Sequence, residues 1–327
     1  MKTLRLVGMA LFAVLMCANF ASCSSDDVAP NEPQNPKEYI VSLGFTGEIS
    51  VSESPLSRAS GNDLYGIHVM SCPTTSETNS YTSYAYGLFD DLTKMNIKLI
   101  EGYKYKFIAT MVVDGKNDIW LHPNGLYQDP FKMELKNVFE FSTTRSGEGL
   151  GKGESDTGGS TTYQRPNTDR YYGECSEYIP VENGEVTIDM KRTSFGLKVI
   201  AENLTEGTLN IKIDYAPEMN ITNPETEIED IFTFYYVKNA YAIEDYSETA
   251  NVNLTWTKSD GATIPLGEHA ITFKRNKKTI ITVKISDISK ENNINITLEN
   301  EEMTDGENIT IENGEIVDTN IGTETEG

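Results

Sequence analysis

The stretch YKYKFIATMVV, residues Tyr103–Val113, alternates its side chains with a period of two. The odd-numbered positions are all apolar or aromatic: Tyr103, Tyr105, Phe107, Ala109, Met111 and Val113. The two lysines of the stretch fall between them. Because successive side chains of a strand point to opposite faces of a sheet, this period predicts a β-strand with one face in a core.

The same alternation recurs along the chain. It is present in Val186–Met190, Phe195–Ala201, Thr208–Tyr215, Val252–Thr257, Ile281–Ile285 and Ile294–Leu298. One-sided strands in this number predict antiparallel sheets packed face to face. No long segment spaces its apolar residues as a helix would, and Phe89–Lys98 has room for one short helical turn at most. The predicted fold class is therefore all-β.

Dipeptides that favour tight turns separate these strands. They are Asp114-Gly115, Asn183-Gly184, Asp260-Gly261 and Asn313-Gly314. Asn, Asp and Gly tolerate positive φ, so each pair predicts a hairpin turn. Strands spaced in this way favour a sandwich or barrel over βαβ units.

We expect two β-sandwich domains in tandem, at residues 38–190 and 191–327. VENGEV at residues 181–186 resembles IENGEI at residues 311–316, and each stretch lies near the end of its half. The alternative, two unrelated hairpin turns of similar sequence, stays open. Thr143–Asn167 is rich in Gly, Ser and Thr and has no apolar face, which predicts a long mobile surface loop in the first domain. Such a loop either binds a partner or is a surface loop without a specific function.

Residues 1–22 have the pattern of an export signal. Lys2 and Arg5 precede an apolar run, Leu6–Ala21, which is too short for a stable membrane span. The run ends in Phe20-Ala21-Ser22-Cys23, which resembles the bacterial lipobox and predicts lipidation of Cys23. Cleavage near Ser22 that leaves Cys23 as a free thiol is the alternative. More than one acyl chain on Cys23 would hold the protein stably on a membrane.

Residues 23–37 are expected to be a flexible tether. They contain Asp26-Asp27 and several prolines and have no apolar face. Acidic residues just after the lipidated cysteine resemble the signal that sends lipoproteins to the cell surface. We therefore expect a surface-exposed lipoprotein of the outer membrane, with a generic linker and a periplasmic protein as the alternative.

The charge and the motifs exclude several classes of function. The formal net charge of −23 repels phosphate backbones, so we expect no nucleic-acid partner. His68, His122 and His269 have no second ligand at metal-binding spacing, so we expect no metal. Nucleotide-binding, dinucleotide-binding and hydrolase motifs do not occur in the sequence. We expect no cofactor and no enzymatic activity.

Two further cysteines, Cys72 and Cys175, belong to the body of the chain. An exported protein is free to form a disulfide between them. Buried free thiols are the more common state of such lone cysteines, and their geometry cannot be known from the sequence.

Several stretches together resemble the fimbrillin-like proteins, which include the lipoprotein-borne pilins and accessory subunits of type V pili. Besides the lipobox and the acidic tether, they are Glu38–Thr46, SPLSRA at residues 54–59, Leu64–Met70, YAYGLF at residues 84–89, IEGYKY at residues 100–105 and KRNKKT at residues 274–279. The resemblance implies two transthyretin-like β-sandwich domains and a role as a structural or adhesive pilus subunit.

The resemblance also implies assembly by strand exchange. In that family, a protease that is usually Arg-specific removes the first strand, and a strand of a neighbouring subunit fills the groove. Here the exchanged strand would be Tyr39–Thr46, with Tyr39, Val41, Leu43 and Phe45 facing inward, and Arg58 would be the cleavage position. The alternative for Arg58 is an ordinary exposed loop residue. The implied partners are other pilus subunits, membrane lipid through Cys23, and a host or bacterial surface ligand.

A surface lipoprotein that binds glycans without polymerising is the competing interpretation. Trp120 and Trp256 are its candidate stacking platforms. Trp256 alternates with Leu254, however, which favours a place in the core.

Overall fold

Tyr103–Val112 forms a central strand of the computed structural model, as its alternation predicts. The structure describes residues 36–51, 61–142, 147–156, 161–285, 295–303, 306–307, 310–312 and 315–317. Cys23, Arg58 and the Asn313-Gly314 turn lie outside the described residues.

The strands of the N-terminal half lie between residues 38 and 192. In chain order they are β1 (Glu38–Gly47), β2 (Leu64–Pro73), β3 (Thr82–Phe89), β4 (Asn96–Ile100), β5 (Tyr103–Val112), β6 (Leu126–Tyr127), β7 (Met133–Glu134), β8 (Phe139–Phe141), β9 (Ser155–Asp156), β10 (Thr162–Tyr163), β11 (Arg170–Tyr178) and β12 (Glu185–Arg192). Eight of them form one sheet in the order β4-β1-β12-β11-β5-β2-β3-β8. β6 pairs with β7, and β9 pairs with β10.

The eight-stranded sheet curls around its own apolar face. Tyr84 of β3 donates its hydroxyl hydrogen to the carbonyl oxygen of Lys98 on β4 at 2.8 Å, although these strands lie near opposite ends of the sheet order. All eight strands contribute buried side chains to one core, including Leu99 of β4 and Phe139 of β8. The two-layer packing predicted for this half is thus reached by one curled sheet.

The outer face of the sheet is also covered in its middle. Ile108 and Val112 of β5 point away from the first core, yet they are buried in a second apolar cluster. This cluster includes Phe131, Met133 and Leu150 from the segment that follows β5. The face of β5 that carries Lys104 and Lys106 is therefore accessible to solvent only near the start of the strand, where these two lysines lie.

A buried arginine holds part of this covering segment in place. Arg170 of β11 is 1% exposed and donates from Nε to Thr110 Oγ1 at 2.8 Å. Its terminal nitrogens donate to the carbonyl oxygens of Gly149, Leu150 and Lys152. Burial lowers the pKa of Arg170 to about 9, which leaves it charged at neutral pH. Hydrogen bonds from a charged donor are the stronger kind, so these contacts replace much of the lost hydration.

The prediction of a mobile loop at Thr143–Asn167 is wrong for the part that the structure describes. Gly147–Gly151 forms a 3-10 helix (η2), and Leu150 within it is fully buried. Arg165 is buried and forms an ion pair with Glu248 at 2.8 Å. Gly, Ser and Thr give no periodic signal, so the sequence did not reveal that carbonyl groups of this segment bind a buried cation.

The strands of the C-terminal half begin at residue 194. They are β13 (Ser194–Glu202), β14 (Thr208–Ile213), β15 (Met219–Thr222), β16 (Glu227–Thr233), β17 (Ser247–Thr257), β18 (Thr263–Lys274), β19 (Lys277–Lys284), β20 (Asn295–Glu302), β21 (Gly306–Glu307), β22 (Thr310–Glu312) and β23 (Glu315–Val317). One sheet has the order β16-β13-β19-β20-β21 and another the order β15-β14-β17-β18, while β22 pairs with β23. Buried side chains of both large sheets form one core, in which Phe195 stacks on Phe273 with ring centroids 4.4 Å apart. This is a sandwich.

Each half contains a parallel pairing of its first strand with a late strand. β1 pairs with β12, and β13 pairs with β19. The structural counterpart of β12 is therefore β19. The similar stretches at residues 181–186 and 311–316 do not correspond, because the first leads into β12 and the second spans the small hairpin of β22 and β23.

Helices are short in the described parts of the chain. They are α1 (Glu48–Val51), α2 (Gly115–Asp118), α3 (Val237–Ala242) and the 3-10 helices η1 (Leu92–Lys94) and η2. η1 is the short helical turn predicted within Phe89–Lys98. Asp114-Gly115 begins α2 instead of making a hairpin, whereas Asp260-Gly261 connects β17 to β18 as predicted. No helix among the described residues is long and apolar enough to cross a membrane.

The all-β class predicted from the sequence is confirmed. In the described residues, the strands up to β12 pair among themselves, and so do the strands from β13 onward. β12 extends to Arg192, two residues past the expected boundary at 190. The assignment of the halves as transthyretin-like domains stays a prediction.

His68 connects the covering segment to β2. It is 4% exposed, its Nδ1 accepts a hydrogen bond from the N–H of Gly147 at 3.2 Å, and its Nε2 lies 2.9 Å from Ser83 Oγ. Burial lowers the pKa of His68, and the nearby charge of Lys238 lowers it further. The folded protein therefore binds a proton at His68 less readily than the unfolded chain does.

We expect acid to weaken this connection. A histidine whose pKa is lower in the folded state contributes its full stability above the ordinary pKa of about 6.5, and this contribution is lost as the pH falls below that value. His68→Gln keeps an acceptor and a donor but does not titrate, so its stability should change less between about pH 7.5 and pH 5.5. Urea unfolding at both pH values measures the difference.

His122→Gln is the matched control, because His122 packs against Trp120 and lies outside the connection between β2 and the covering segment. It should keep the pH dependence of the unmodified protein. If the free energy of unfolding changed equally with pH in His68→Gln and His122→Gln, the role assigned to His68 would be contradicted.

Candidate functional site

The candidate site is the position of β1 within the first sheet. β1 lies between β4 and β12. It pairs antiparallel with β4 over Glu38–Ser42 and parallel with β12 over Ser42–Gly47. If an interior strand left the sheet, unpaired backbone N–H and C=O groups would be exposed on both of its neighbours. Such unpaired edges are a template for another strand.

The side chains of β1 alternate between core and solvent. Val41 and Leu43 are buried, and Tyr39 and Phe45 are half-buried and pack against the same core. Phe45 stacks on Tyr65 with ring centroids 5.7 Å apart. On the opposite face, Ile40 is 70% exposed. The structure thus places the four predicted side chains on the inner face.

The neighbours of β1 would form the walls and floor of a groove in its absence. Ile97 and Leu99 of β4 lie in the same core, and so do Val186, Ile188 and Met190 of β12. Each fully buried side chain of this size contributes about 1.5–3 kcal/mol of burial free energy. Loss of β1 would therefore expose apolar surface and unpaired backbone groups together, and one incoming strand of the same alternation would cover both.

β1 is also separated from the next strand of the chain. β2 lies four places away from β1 in the sheet order. The connection between them contains α1 and residues 52–60, which lie outside the described residues and include Arg58. A cut in this connection would leave β1 attached to the sheet by noncovalent contacts alone.

Cys72 and Cys175 are both free thiols in the structure. Cys72 is buried at the end of β2, and Cys175 is half-buried on β11. β5 lies between β2 and β11, so the two cysteines stand on strands about 9–10 Å apart. A disulfide needs Cα atoms within about 7 Å. The disulfide considered from the sequence is therefore not formed.

The structure places Trp256 in the core, as its alternation with Leu254 predicts. Trp256 is 6% exposed, belongs to the C-terminal core and donates from Nε1 to the carbonyl oxygen of Glu206 at 2.9 Å. Trp120 is half-buried and packs edge-on against His122.

An aromatic groove lies elsewhere, where the two ends of the curled sheet meet. It has a volume of about 600 Å³ and is lined by Tyr84, Tyr103, Tyr105 and Phe141 together with Ile100 and the hydroxyl residues Ser71, Thr82, Ser83 and Ser142. Phe141 is 56% exposed and packs edge-on against Tyr84 with ring centroids 5.3 Å apart. Sequence alternation did not reveal this groove, because it joins strands that are distant in the chain.

Metal chemistry has no support in the described part of the chain. There, no three His, Cys, Asp or Glu side chains are placed to hold a metal ion. His68 serves the fold, as described above, and some described carboxylates of the N-terminal half form surface ion pairs, such as Glu38 with Lys98.

The all-β fold and its interior first strand can be compared with known proteins. No protein-family model matches the chain, and no curated protein matches it. Among solved structures, it is similar to a candidate adhesin from Bacteroides thetaiotaomicron, with 13% identity, coverage of 88% of this chain and 100% of the other, and a TM-score of 0.41.

Two fimbrial proteins from Porphyromonas gingivalis are also similar. The fimbrial anchor protein Mfa2 shares 8% identity, with 85% of this chain and 99% of Mfa2 covered and a TM-score of 0.40. The tip fimbrial protein Mfa3 with a C-terminal truncation shares 8% identity, with 81% and 100% covered and a TM-score of 0.34. At this level of similarity, the role of the chain has to be argued from its own residues.

Charge on the inner face of β1 should disrupt its place in the sheet. Val41→Asp puts an unpaired carboxylate in the core, and we expect it to lower the free energy of unfolding by about 3 kcal/mol or more. Ile40→Asp, on the exposed face of the same strand, should change it by less than about 1 kcal/mol. Urea unfolding compares the two variants, and equal losses would show that β1 does not contribute its inner face to the core.

Proposed function

We propose that this protein is a structural or adhesive pilus (fimbria) subunit that is exported as a lipoprotein and assembles by donor-strand exchange. The observation that carries the proposal is the interior position of β1, with paired neighbours on both sides and an apolar inner face. Other pilus subunits are its partners, and a host or bacterial surface ligand is its target.

The N-terminal residues support the surface location. Residues 1–22 would direct export, Cys23 would carry the lipid, and residues 23–37 would tether the folded part to the outer membrane. β1 begins directly after this tether, at Glu38. Removal of β1 would therefore also release the subunit from its lipid anchor.

The pairing of strands supports two tandem β-sandwich domains. Eight described strands of the N-terminal half share one curled sheet, and the two large sheets of the C-terminal half share one sandwich core. We place the boundary at residues 190–193, between the end of the expected first domain and the start of β13. Donor-strand exchange in this arrangement concerns the first domain.

Cleavage between β1 and β2 should convert the monomer into oligomers. An Arg-specific protease should cut after Arg58, the β1 fragment should then be displaced, and size-exclusion chromatography should detect assemblies. Arg58→Gln is the matched control, which should stay intact at this position and monomeric under the same treatment. A protein that is cut and loses β1 but remains strictly monomeric would contradict the assembly proposal and favour an anchor or tip role.

The aromatic groove supports a second candidate function, the binding of surface glycans. Aromatic faces stack on sugar rings, and the exposed ring of Phe141 lies beside Tyr84 in this groove. We expect Phe141→Ala to weaken glycan binding at least about tenfold by removing an exposed ring, as measured by calorimetric titration with hits from a glycan array. Ile40→Ala, on an exposed surface outside the groove, should have no effect. An absence of saturable binding to the unmodified monomer would contradict this second function.

A further inference from the structure

Glu48, the first residue after β1, lies in a polar contact with the C-terminal half. Its two carboxylate oxygens each lie 2.7 Å from Nη1 of Arg275, which donates to them. Oε2 also accepts a hydrogen bond from the backbone N–H of Arg192 at 2.7 Å. Arg192 ends β12, and Arg275 lies between β18 and β19. One carboxylate thus binds the end of the first sheet and a turn of the C-terminal sandwich.

The guanidinium of Arg275 is buried, with 5% of its side chain exposed. Its Nε and Nη2 donate to the carbonyl oxygen of Glu244 at 3.2 and 3.1 Å, and Nη1 also reaches the carbonyl oxygen of Arg192 at 3.2 Å. The carboxylate of Glu244 is farther away, at 3.4 Å. That carboxylate is 70% exposed and is shared with Lys191. Glu48 is therefore the near charge that compensates a buried cation.

The register of β1 fixes the place of this carboxylate. Gly47 lies opposite Met190 of β12, so the next residue lies beside the end of that strand. Gly47 has φ of +85°, and a Cβ there would clash with Asp189 Oδ1 and lie 2.7 Å from the carbonyl oxygen of Met190. The chain can turn toward Arg275 at this point because residue 47 has no side chain.

We propose that Arg275 and the N–H of Arg192 form a carboxylate socket, and that any strand replacing β1 must bring an acidic residue at the position of Glu48. This inference rests on the proposed strand exchange. Cleavage at Arg58 followed by release of the β1 fragment would remove Glu48 as well, which leaves a buried guanidinium without its near anion. A charge left unpaired in this way strongly favours a replacement. The partner is thus a strand with alternating apolar residues followed by a carboxylate three positions after its last inward side chain.

The socket gives the second half of the protein a part in selecting the incoming strand. The groove between β4 and β12 binds apolar side chains, which are present in many strands. The socket lies beyond the end of the groove and binds a single carboxylate. Discrimination between strands of equal apolar pattern follows from the cost of leaving Arg275 unpaired.

A peptide competition measures this discrimination. For this experiment, residues within 52–60 of the full-length chain are replaced by the recognition site of a sequence-specific protease. The chain is then cut at that site. Labelled peptides of residues 36–51 then compete with the bound β1 fragment in three forms: unmodified, Glu48→Gln and Glu38→Gln. Glu38 lies on the same strand in a surface ion pair with Lys98, with both side chains more than half exposed, so its variant is the matched control.

We expect Glu48→Gln to weaken peptide binding at least about tenfold, because it removes the charge that faces a buried guanidinium. Glu38→Gln should change binding less than about threefold, since exposed ion pairs contribute little. Equal affinities of the Glu48→Gln and unmodified peptides would overturn the socket.

Failure of the socket and failure of strand exchange can be told apart in the uncut chain. There, Glu48→Gln should lower the urea midpoint clearly more than Glu38→Gln does, whether or not strands ever exchange. Equal midpoints would overturn the socket. A cut chain that never releases its β1 fragment would instead overturn the proposed exchange.

Discussion

The parallel pairing of β1 with β12 is the contact on which the N-terminal half depends. It joins the first strand of the half to the last, and with the β1–β4 pairing it closes the curled sheet around its core. Without it, the inner faces of β4 and β12 would lose the apolar side chains that β1 places beside them. The contact is noncovalent and is made by the first described strand, so it can be lost without unthreading any other described strand.

The same closure appears in the C-terminal half, where β13 pairs in parallel with β19. The two halves differ in what lies beyond that pair. β12 is followed in its sheet by β11, which precedes it in the chain, whereas β19 is followed by β20, which comes later. The turn before β19 supplies Arg275, and the end of β1 supplies Glu48. The two closures are thus connected by one ion pair.

Alternation predicted the strands well because it records which face of a strand meets water. β5, β12, β13, β14, β17, β19 and β20 all contain stretches recognised in this way. Ile108 and Val112 were not recognised as buried, because the residues that cover them lie in irregular segments held by Arg170. For the candidate site, the inward-facing side chains of β1 were an expectation from the resemblance to the fimbrillin-like proteins. The Glu48–Arg275 contact could not be predicted, since nothing local to either residue indicates the other.

The place of β1 in the sheet has a consequence for biosynthesis. β1 leaves the ribosome before every other described strand, but β12 is made after all the other strands of that sheet. A nascent strand with an apolar face and no completed neighbour is prone to associate with other chains. Charged residues flank the apolar part of β1 and oppose such aggregation: Lys37 and Glu38 before it, and Glu48 after it. The carboxylate that binds Arg275 in the folded protein is therefore also a charge that opposes aggregation of β1 before β12 has been synthesised.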